Sequence, residues 1–420
     1  MMRTSAVVFG AAIVAALSSV CISARASEPL TLKEAIGRAL AYAPAAAIAG
    51  AQAEFSDARA DEARAPLFPS VFANGEYNQA PGYDKTISNG GLTLAQLALD
   101  YTVFDGGRRA DLLKAARYAA QATRLGVNTA RAQIIYATTV AYYDLLRART
   151  AEAQTEESLR RLEQYLSIVE NLRESGRAIA NDVLKTRTAR NTTELALAAA
   201  HQSAAQAAIV LGALIGAPDP ATIQVAAVAD LPSPPAGDVA RSPTFQAAER
   251  QLESTKLAVA AAEAERAPVA KLALTSGWEG INPPKTFGHH LGASYDGAIS
   301  VPIFQGGLVR AHIDEAVAAQ RVALAQVRQI ELDLTRDFAD ALARYQGARA
   351  QLRLLALAQT TVDDSFALDW TRFLGGGAVT LFEVLDAYQQ AQTLRLTRID
   401  DEFTVRQTAA QAALILGDAR

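Results

Sequence analysis

Cysteine is all but missing from this chain of 420 residues: the one example is Cys21, inside an apolar leader. A chain that loses that leader has no thiol, so disulfides play no part in holding it together. Aromatic residues make up 6% against 50% hydrophobic residues in all. The excess is mostly alanine, which favours long, closely packed helices over a bulky globular core. Charge of one sign is also missing, since 40 basic and 44 acidic residues leave a net charge of -4 with no basic stripe or acidic tail. That balance points to neither nucleic acid nor a polybasic membrane contact. Beyond the leader no stretch offers 18 consecutive apolar residues, so a membrane would be entered only as a closed β-barrel. Proline is missing from two long stretches, between Pro81 and Pro218 and after Pro302. Those stretches are free to form very long helices.

The leader, residues 1–26, has Arg3, the 12-residue run "AVVFGAAIVAAL" (6–17) and then "SARA", with Ala24 and Ala26 in the small-x-small arrangement that signal peptidase cuts. It is too short to span a bilayer, and the mature chain is expected to start near Ser27. Ser18 and Val20 ahead of Cys21 fit a lipidation site poorly, so removal with the leader is the reading adopted.

What is present is a repeat. "VFDGG" (103–107) and "IFQGG" (303–307) each join a stretch of period two to a long helical stretch, and Phe104 and Phe304 lie 304 − 104 = 200 residues apart. From Arg108 to Leu172 the pattern stays helical, which at 1.5 Å per residue gives about 100 Å. Each long helix ends at glycines, "RESGRAIANDVL" (173–184) and "FLGGGAVTLFEVL" (373–385), and returns to "ALIG" (213–216) or "LILG" (414–417). Gly176 stands 7 residues before Val183 and Gly377 stands 7 before Val384, which pairs those two glycines. The chain thus divides into a leader (1–26), a first repeat (27–216), a linker (217–243) with a short β-like run at Ile223 to Val228, and a second repeat (244–420). Each repeat holds a moderate helix, a β-hairpin (69–104 or 269–304) and a long helical hairpin (108–216 or 308–417).

In the second repeat Ala293, Tyr295, Gly297, Ile299, Val301 and Ile303 fall on one strand face, opposite Gly292, Ser294, Asp296, Ala298 and Ser300. In the first, Leu97, Leu99, Tyr101 and Val103 oppose Ala98, Asp100 and Thr102, with the pattern slipping near Ala95. Four strands cannot close a spanning barrel, which needs at least about 8. Three copies supply 3 × 4 = 12, and two would supply 8, a number that counting alone leaves open. At the junctions Gly106, Gly107, Gly306 and Gly307 allow backbone angles closed to other residues, and Phe104 and Phe304 suit an aromatic girdle. A phosphate-binding turn would need more glycines and a following Lys-Ser/Thr.

The start "LTLKEAIGRALAYAP" (30–44), the twin "FxGG" junctions, the turns "GRAIANDVL" (176–184) and "GAVTLFEVLDA" (377–387), and the two-fold plan resemble the TolC-type outer-membrane efflux channels of Gram-negative bacteria over roughly residues 30–417. The resemblance implies an α+β membrane protein: a homotrimer with a shared 12-stranded barrel in outer-membrane lipid, continuing into a periplasmic tunnel of helical hairpins. It implies a passive exit duct of a tripartite efflux or type I secretion system, coupled through a periplasmic adaptor to an inner-membrane pump.

Carried over by position, Glu383 and Asp386 are the expected acidic ring of the periplasmic aperture; an ordinary solvated helix face is the plainer reading of such a pair. Asn181 and Asp182 are the expected gate contacts, and Val379 stands where some family members place an arginine, so a salt-bridge latch is not expected. Adaptor contact falls to the turns: Gly176, Gly375, Gly376 and Gly377 with Leu172, Val183, Leu184, Phe373, Leu381 and Leu385. No cofactor, metal site or enzyme activity is expected, since His201, His289, His290 and His312 have no metal-ligand spacing. The rival from another class is a periplasmic coiled-coil structural or adaptor protein.

Overall fold

The computed structural model describes residues 29–418 except 83, 85, 87–89, 229, 282–290 and 378. The expected leader with Cys21 and the His289–His290 pair lie outside the described residues. Among those described, the order is α1 (Leu32–Tyr42), α2 (Pro44–Arg64), β1 (Ser70–Gln79), β2 (Gly91–Phe104), α3 (Arg108–Glu174), α4 (Ala180–Ile215), α5 (Pro243–Glu263), β3 (Val269–Ile281), β4 (Gly292–Ser300), α6 (Leu308–Leu374) and α7 (Leu381–Leu416).

The proline-free stretches become α3 and α6, of 67 residues each, about 100 Å long at the helical rise. A column of two shorter helices lies beside each. α4 ends at Gly216 (φ 66°), where a Cβ would lie 2.6 Å from the ring of Tyr42, two residues before α2. α7 ends in the same way at Gly417 (φ 72°) against Pro243, the first residue of α5. α2 thus takes over where α4 stops, and α5 where α7 stops. α4 is long and apolar enough to cross a bilayer, with a mean hydropathy of 1.3 over its best window. Its length is packed along α3 as one arm of a hairpin.

The strands form one antiparallel sheet in the order β1-β2-β3-β4. Its register runs from Ser70↔Asp100 to Gln79↔Gly91, through Leu99↔Leu274 in the middle, to Val269↔Ser300 at the far edge. Pairing continues unbroken through Ala95, so the slip in alternation there carries Leu92 and Leu94 to the face opposite Leu97 and Leu99; the register irregularity lies between Thr102 and Phe104. β4 ends at Ser300, short of the expected Val301 and Ile303. Pro302 has no N–H for the ladder, which stops pairing there. Among the described residues the outer edges of β1 and β4 pair with nothing.

One core sits midway along the helices, where Tyr142, Leu145, Leu211 and Phe403 bury against Leu30 and Ile223. Leu30 forms a parallel bridge to Val225, inside the β-like run of the linker. The buried Tyr142 hydroxyl lies 2.9 Å from the carbonyl of Leu30 and 2.8 Å from that of Ala226, pinning both strands of that bridge to α3.

Candidate functional site

The sheet has two chemically distinct faces. Cross-strand register places Val71, Leu99, Leu274 and Tyr295 in one row, with Leu97, Tyr77, Trp278 and Ile299 on the same side. The opposite side carries Asn74, Gln96, Glu76, Glu279, Asp100, Lys271, Thr275, Ser294 and Asp296. A wall that is mostly apolar on one side and, apart from Phe72, Leu92 and Leu94, mostly polar on the other, with strands of 9 to 14 residues, has the make-up of a membrane barrel segment.

At both strand-to-helix junctions the paired glycines are left-handed: φ is 68° and 90° at Gly106 and Gly107, 60° and 87° at Gly306 and Gly307. Side chains with a Cβ rarely adopt these angles, which explains the "GG". Phe104 and Phe304 are both exposed, beside the sheet's end.

The far end of the helices, some 100 Å away, holds the other candidate residues. One core, built from all four long helices, contains Leu162, Val169, Val183, Ala189, Leu381, Leu385 and Tyr388, with Tyr165, Phe366, Trp370 and Phe373 packed on it. Three residues expected at the adaptor contact, Val183, Leu381 and Leu385, are therefore buried, and Phe373 stacks on Trp370 at 6.0 Å. Helical period identifies an apolar stripe without saying whether a neighbouring helix covers it. The exposed apolar side chains at the tip are Leu184 (58%) together with Ile179 (64%) and Phe382 (61%), two that sequence reasoning missed. Lys185 lies over the Phe382 ring at 4.9 Å.

The two turns differ by one residue. α3 and α6 start and end 200 residues apart, but α4 and α7 start at 180 and 381, so the second turn is longer by 381 − 180 − 200 = 1. The left-handed glycines are Gly176 and Gly376, which makes Gly376, not Gly377, the counterpart of Gly176. Gly375 closes α6, and a Cβ on Gly377 would crowd the carbonyl of Arg372 at 3.0 Å. Leu172 is half-buried, and its carbonyl accepts from the N–H groups of Arg177 and Ala178, closing the first turn.

Glu383 and Asp182 are counterparts at this offset, and both serve helix starts. The Glu383 carboxylate accepts from the Thr380 N–H at 2.8 Å and from its hydroxyl at 3.0 Å, while the Glu383 N–H donates to that hydroxyl. These hydrogen bonds hold its carboxyl below the usual range. Thr31 and Glu34 make the same box at the start of α1, far from the tip. Asp182 accepts from the Ile179 N–H at 3.1 Å. Glu383 and Asp386 are both exposed, but Asp386 instead accepts from Gln390 at 2.8 Å. A groove of 370 Å³ between α4 and α7 brings Asn181 and Asp386 together with Leu184, Lys185, Phe382 and Gln389. The expected sites thus sort into two caps and a groove. Among the described residues no group of three or more His, Cys, Asp or Glu is placed to hold a metal ion.

The family model described as "Outer membrane efflux protein" matches residues 35–217 and 239–418, leaving out only the linker between the repeats and the two termini. The chain belongs to the outer membrane efflux protein family. No curated protein matches it. Its fold is that of several solved outer membrane efflux proteins and channels. A membrane protein from Pseudomonas aeruginosa is similar at TM-score 0.83 and 22% identity, over 92% of this chain and 93% of that one. CusC, whose structures concern transmembrane channel formation, is similar at 0.83 and 20%, over 92% and 91%. The outer membrane protein VceC of Vibrio cholerae is similar at 0.81 and 19%, over 92% and 96%. The efflux family places this protein in the outer membrane as a channel, and the rival reading as a periplasmic structural or adaptor protein is not favoured.

Proposed function

We propose that this efflux channel is a homotrimeric exit duct that works passively, taking substrate from an inner-membrane pump through a periplasmic adaptor seated on the helical tip. The observation that carries the reading is the sheet: four strands with an apolar and a polar face, and two open edges, joined to helices of 67 residues. Three copies joined edge to edge, β4 of one to β1 of the next, make a 12-stranded wall whose apolar face meets lipid. The proposal leaves the duct no energy source and no cofactor of its own.

The internal repeat supports the ring. α5 packs on both α3 and α6, whereas its counterpart α2 packs on α3 and leaves the far side of α6 bare. The next copy's α2 fills that place if the two repeats alternate around a six-fold pseudo-symmetric tunnel.

At the tip, Asn181 and Asp386 are two of the polar groups of the aperture groove, beside Lys185 and Gln389, and Asp182 and Glu383 act chiefly by fixing the helix starts behind it. Ile179, Leu184 and Phe382, with the glycine turns, are the surface offered to the adaptor. Reconstituted in planar bilayers, the protein should conduct ions in steps of one size. An outer-membrane protein that never conducts would overturn the duct.

A further inference from the structure

We propose that the seam between copies repeats the seam between the two halves of one chain, so that Ile299 on β4 lies opposite Gly75 on β1 of the next copy, and Phe68 of that copy covers the bare Gly306. This rests on the three-copy reading above and adds to it a register.

The offsets that carry one half onto the other are set by the backbone. β1 and β3 start at Ser70 and Val269, and α2 and α5 start at Pro44 and Pro243, so 269 − 70 = 243 − 44 = 199. The first hairpin pairs Ser70 with Asp100 and the second pairs Val269 with Ser300, so β2 and β4 are offset by 300 − 100 = 200. Inside the chain the two hairpins meet with Leu99 opposite Leu274. Carried on by one half, that contact falls at 99 + 200 = 299 on β4 and 274 − 199 = 75 on β1. β4 is the last strand of the chain, so this β1 belongs to the next copy.

The chemistry of the two open edges agrees with that register. It sets Tyr77 opposite Gly297, where a Cβ would have nothing within 4 Å, so the ring has room to lie over the glycine. Asp296 then faces Asn78, and Glu76 faces Ala298, so like charges are kept apart. A slip of two residues one way sets Asp296 against Glu76, which is destabilising. The same slip the other way sets Tyr295 against Pro81, which lies beyond β1 and has no N–H for the ladder. A slip of one residue joins the apolar face of one strand to the polar face of the other.

The strand-to-helix junctions give an independent match. Within the chain, the Cβ of Ala267 lies 2.4 Å from the place of a Cβ on Gly106. The counterparts at the same offsets are Phe68 and Gly306; Phe68 is exposed, and Gly306 has nothing within 4 Å. The open glycine leaves space for the larger side chain. Beside Gly106, Glu265 meets both Arg108 and His312, each at 2.8 Å. Their counterparts are Pro66, Leu308 and Leu112, and both leucines are exposed in the single chain. A polar cluster inside the chain thus becomes an apolar one where the next copy docks, and burial there removes apolar surface from water.

The test is a cysteine pair across the seam. In a Cys21→Ser background, Ile299→Cys and Gly75→Cys are oxidised in the outer-membrane fraction, and the chains are separated on a denaturing gel. Gly75 has nothing within 4 Å of a Cβ, so the side chain is accommodated. The expected result is a ladder of linked chains at least about fivefold stronger than from Ile299→Cys with Ala73→Cys or Tyr77→Cys, which stand diagonal at about 7–8 Å, beyond disulfide reach. No ladder from any pair, a stronger ladder from either diagonal pair, or dimers from Ile299→Cys alone would overturn the register. A ladder from the first pair that ends at two chains would uphold the register and overturn the three-copy duct instead. Phe68→Ala tests the junction without a crosslink, and should lower the temperature at which the extracted assembly comes apart. An unchanged temperature would overturn the cover over Gly306.

Discussion

At the first strand-to-helix junction a Cβ on Gly106 would fall 2.4 Å from that of Ala267, and Glu265 takes an ion pair from Arg108 at 2.8 Å and a hydrogen bond from His312 at 2.8 Å. At the second, Gly306 has nothing within 4 Å, and Ile303 and Phe304 are 94% and 87% exposed. The backbone angles of the two glycine pairs are nearly the same, so the turn is a local property of "GG" and its surroundings are not. What differs is the next element. The end of α5 covers the first junction, and among the described residues none lies within 4 Å of a Cβ placed on Gly306. A near-identical turn bare in one repeat and packed in the other is where the proposed trimer sets a second copy. The helices repeat the lesson, with α5 wedged between α3 and α6 while α2 packs chiefly on α3.

The largest expected effect is at the tip. Tyr388→Ala should cost about 3–5 kcal/mol, the usual range for a buried aromatic, read from the denaturant midpoint. Its counterpart at offset 201, Arg187, makes an exposed pair with Glu170, and Arg187→Ala should cost under about 1 kcal/mol. Equal losses would mean that the two hairpins share the core symmetrically.

Next come the sheet faces. Ile299→Lys and Leu99→Lys lie on the apolar face of different repeats, and each should lose about 2–4 kcal/mol of membrane stability if lipid covers that face. Ser294→Lys on the polar face should assemble normally, measured by recovery in the outer-membrane fraction.

The junctions themselves sharpen the comparison. Gly106→Ala meets Ala267 as well as the left-handed strain of about 1–2 kcal/mol, whereas Gly306→Ala meets the strain alone in an isolated chain. If a neighbour covers Gly306, the two variants should lower the melting temperature of the assembled protein alike. A milder Gly306→Ala would leave that junction bare in the assembly.

Smallest are the caps. Thr380→Ala should cost about 1 kcal/mol, and Ile179→Thr, which completes the box with Asp182, should stabilise the first turn by up to a similar amount. Because hydrogen bonds depress the Glu383 carboxyl, its contribution is present above the usual carboxylate range and lost as pH falls through the depressed value. Acid titration followed by circular dichroism should show less acid sensitivity in Thr380→Ala than in the parent.

Much of this was legible in the residues. Missing proline, the 200-residue offset and alternation in 293–299 fix the long helices, the repeat and the strands. The capping role of Glu383 was legible too, since "TLFE" (380–383) repeats the pattern of "TLKE" (31–34), but its carboxylate drew attention as a charge rather than as an acceptor. Pro302 likewise announces the end of β4. Burial of Val183, Leu381 and Leu385 was not legible, because it depends on which of four helices meet. Nor was the Ser158–Tyr388 pair, whose partners lie 230 residues apart. The one-residue difference between the turns shows only in the backbone, where Gly376 takes the left-handed place.

In the proposed assembly three copies complete one wall and one tunnel. The most direct measurement is the mass and projected shape of the detergent-extracted protein from the outer-membrane fraction. The account predicts a trimer shaped as a rod at least about 100 Å long, as the helix rise requires; a monomer or dimer, or a particle without such a rod, would contradict it.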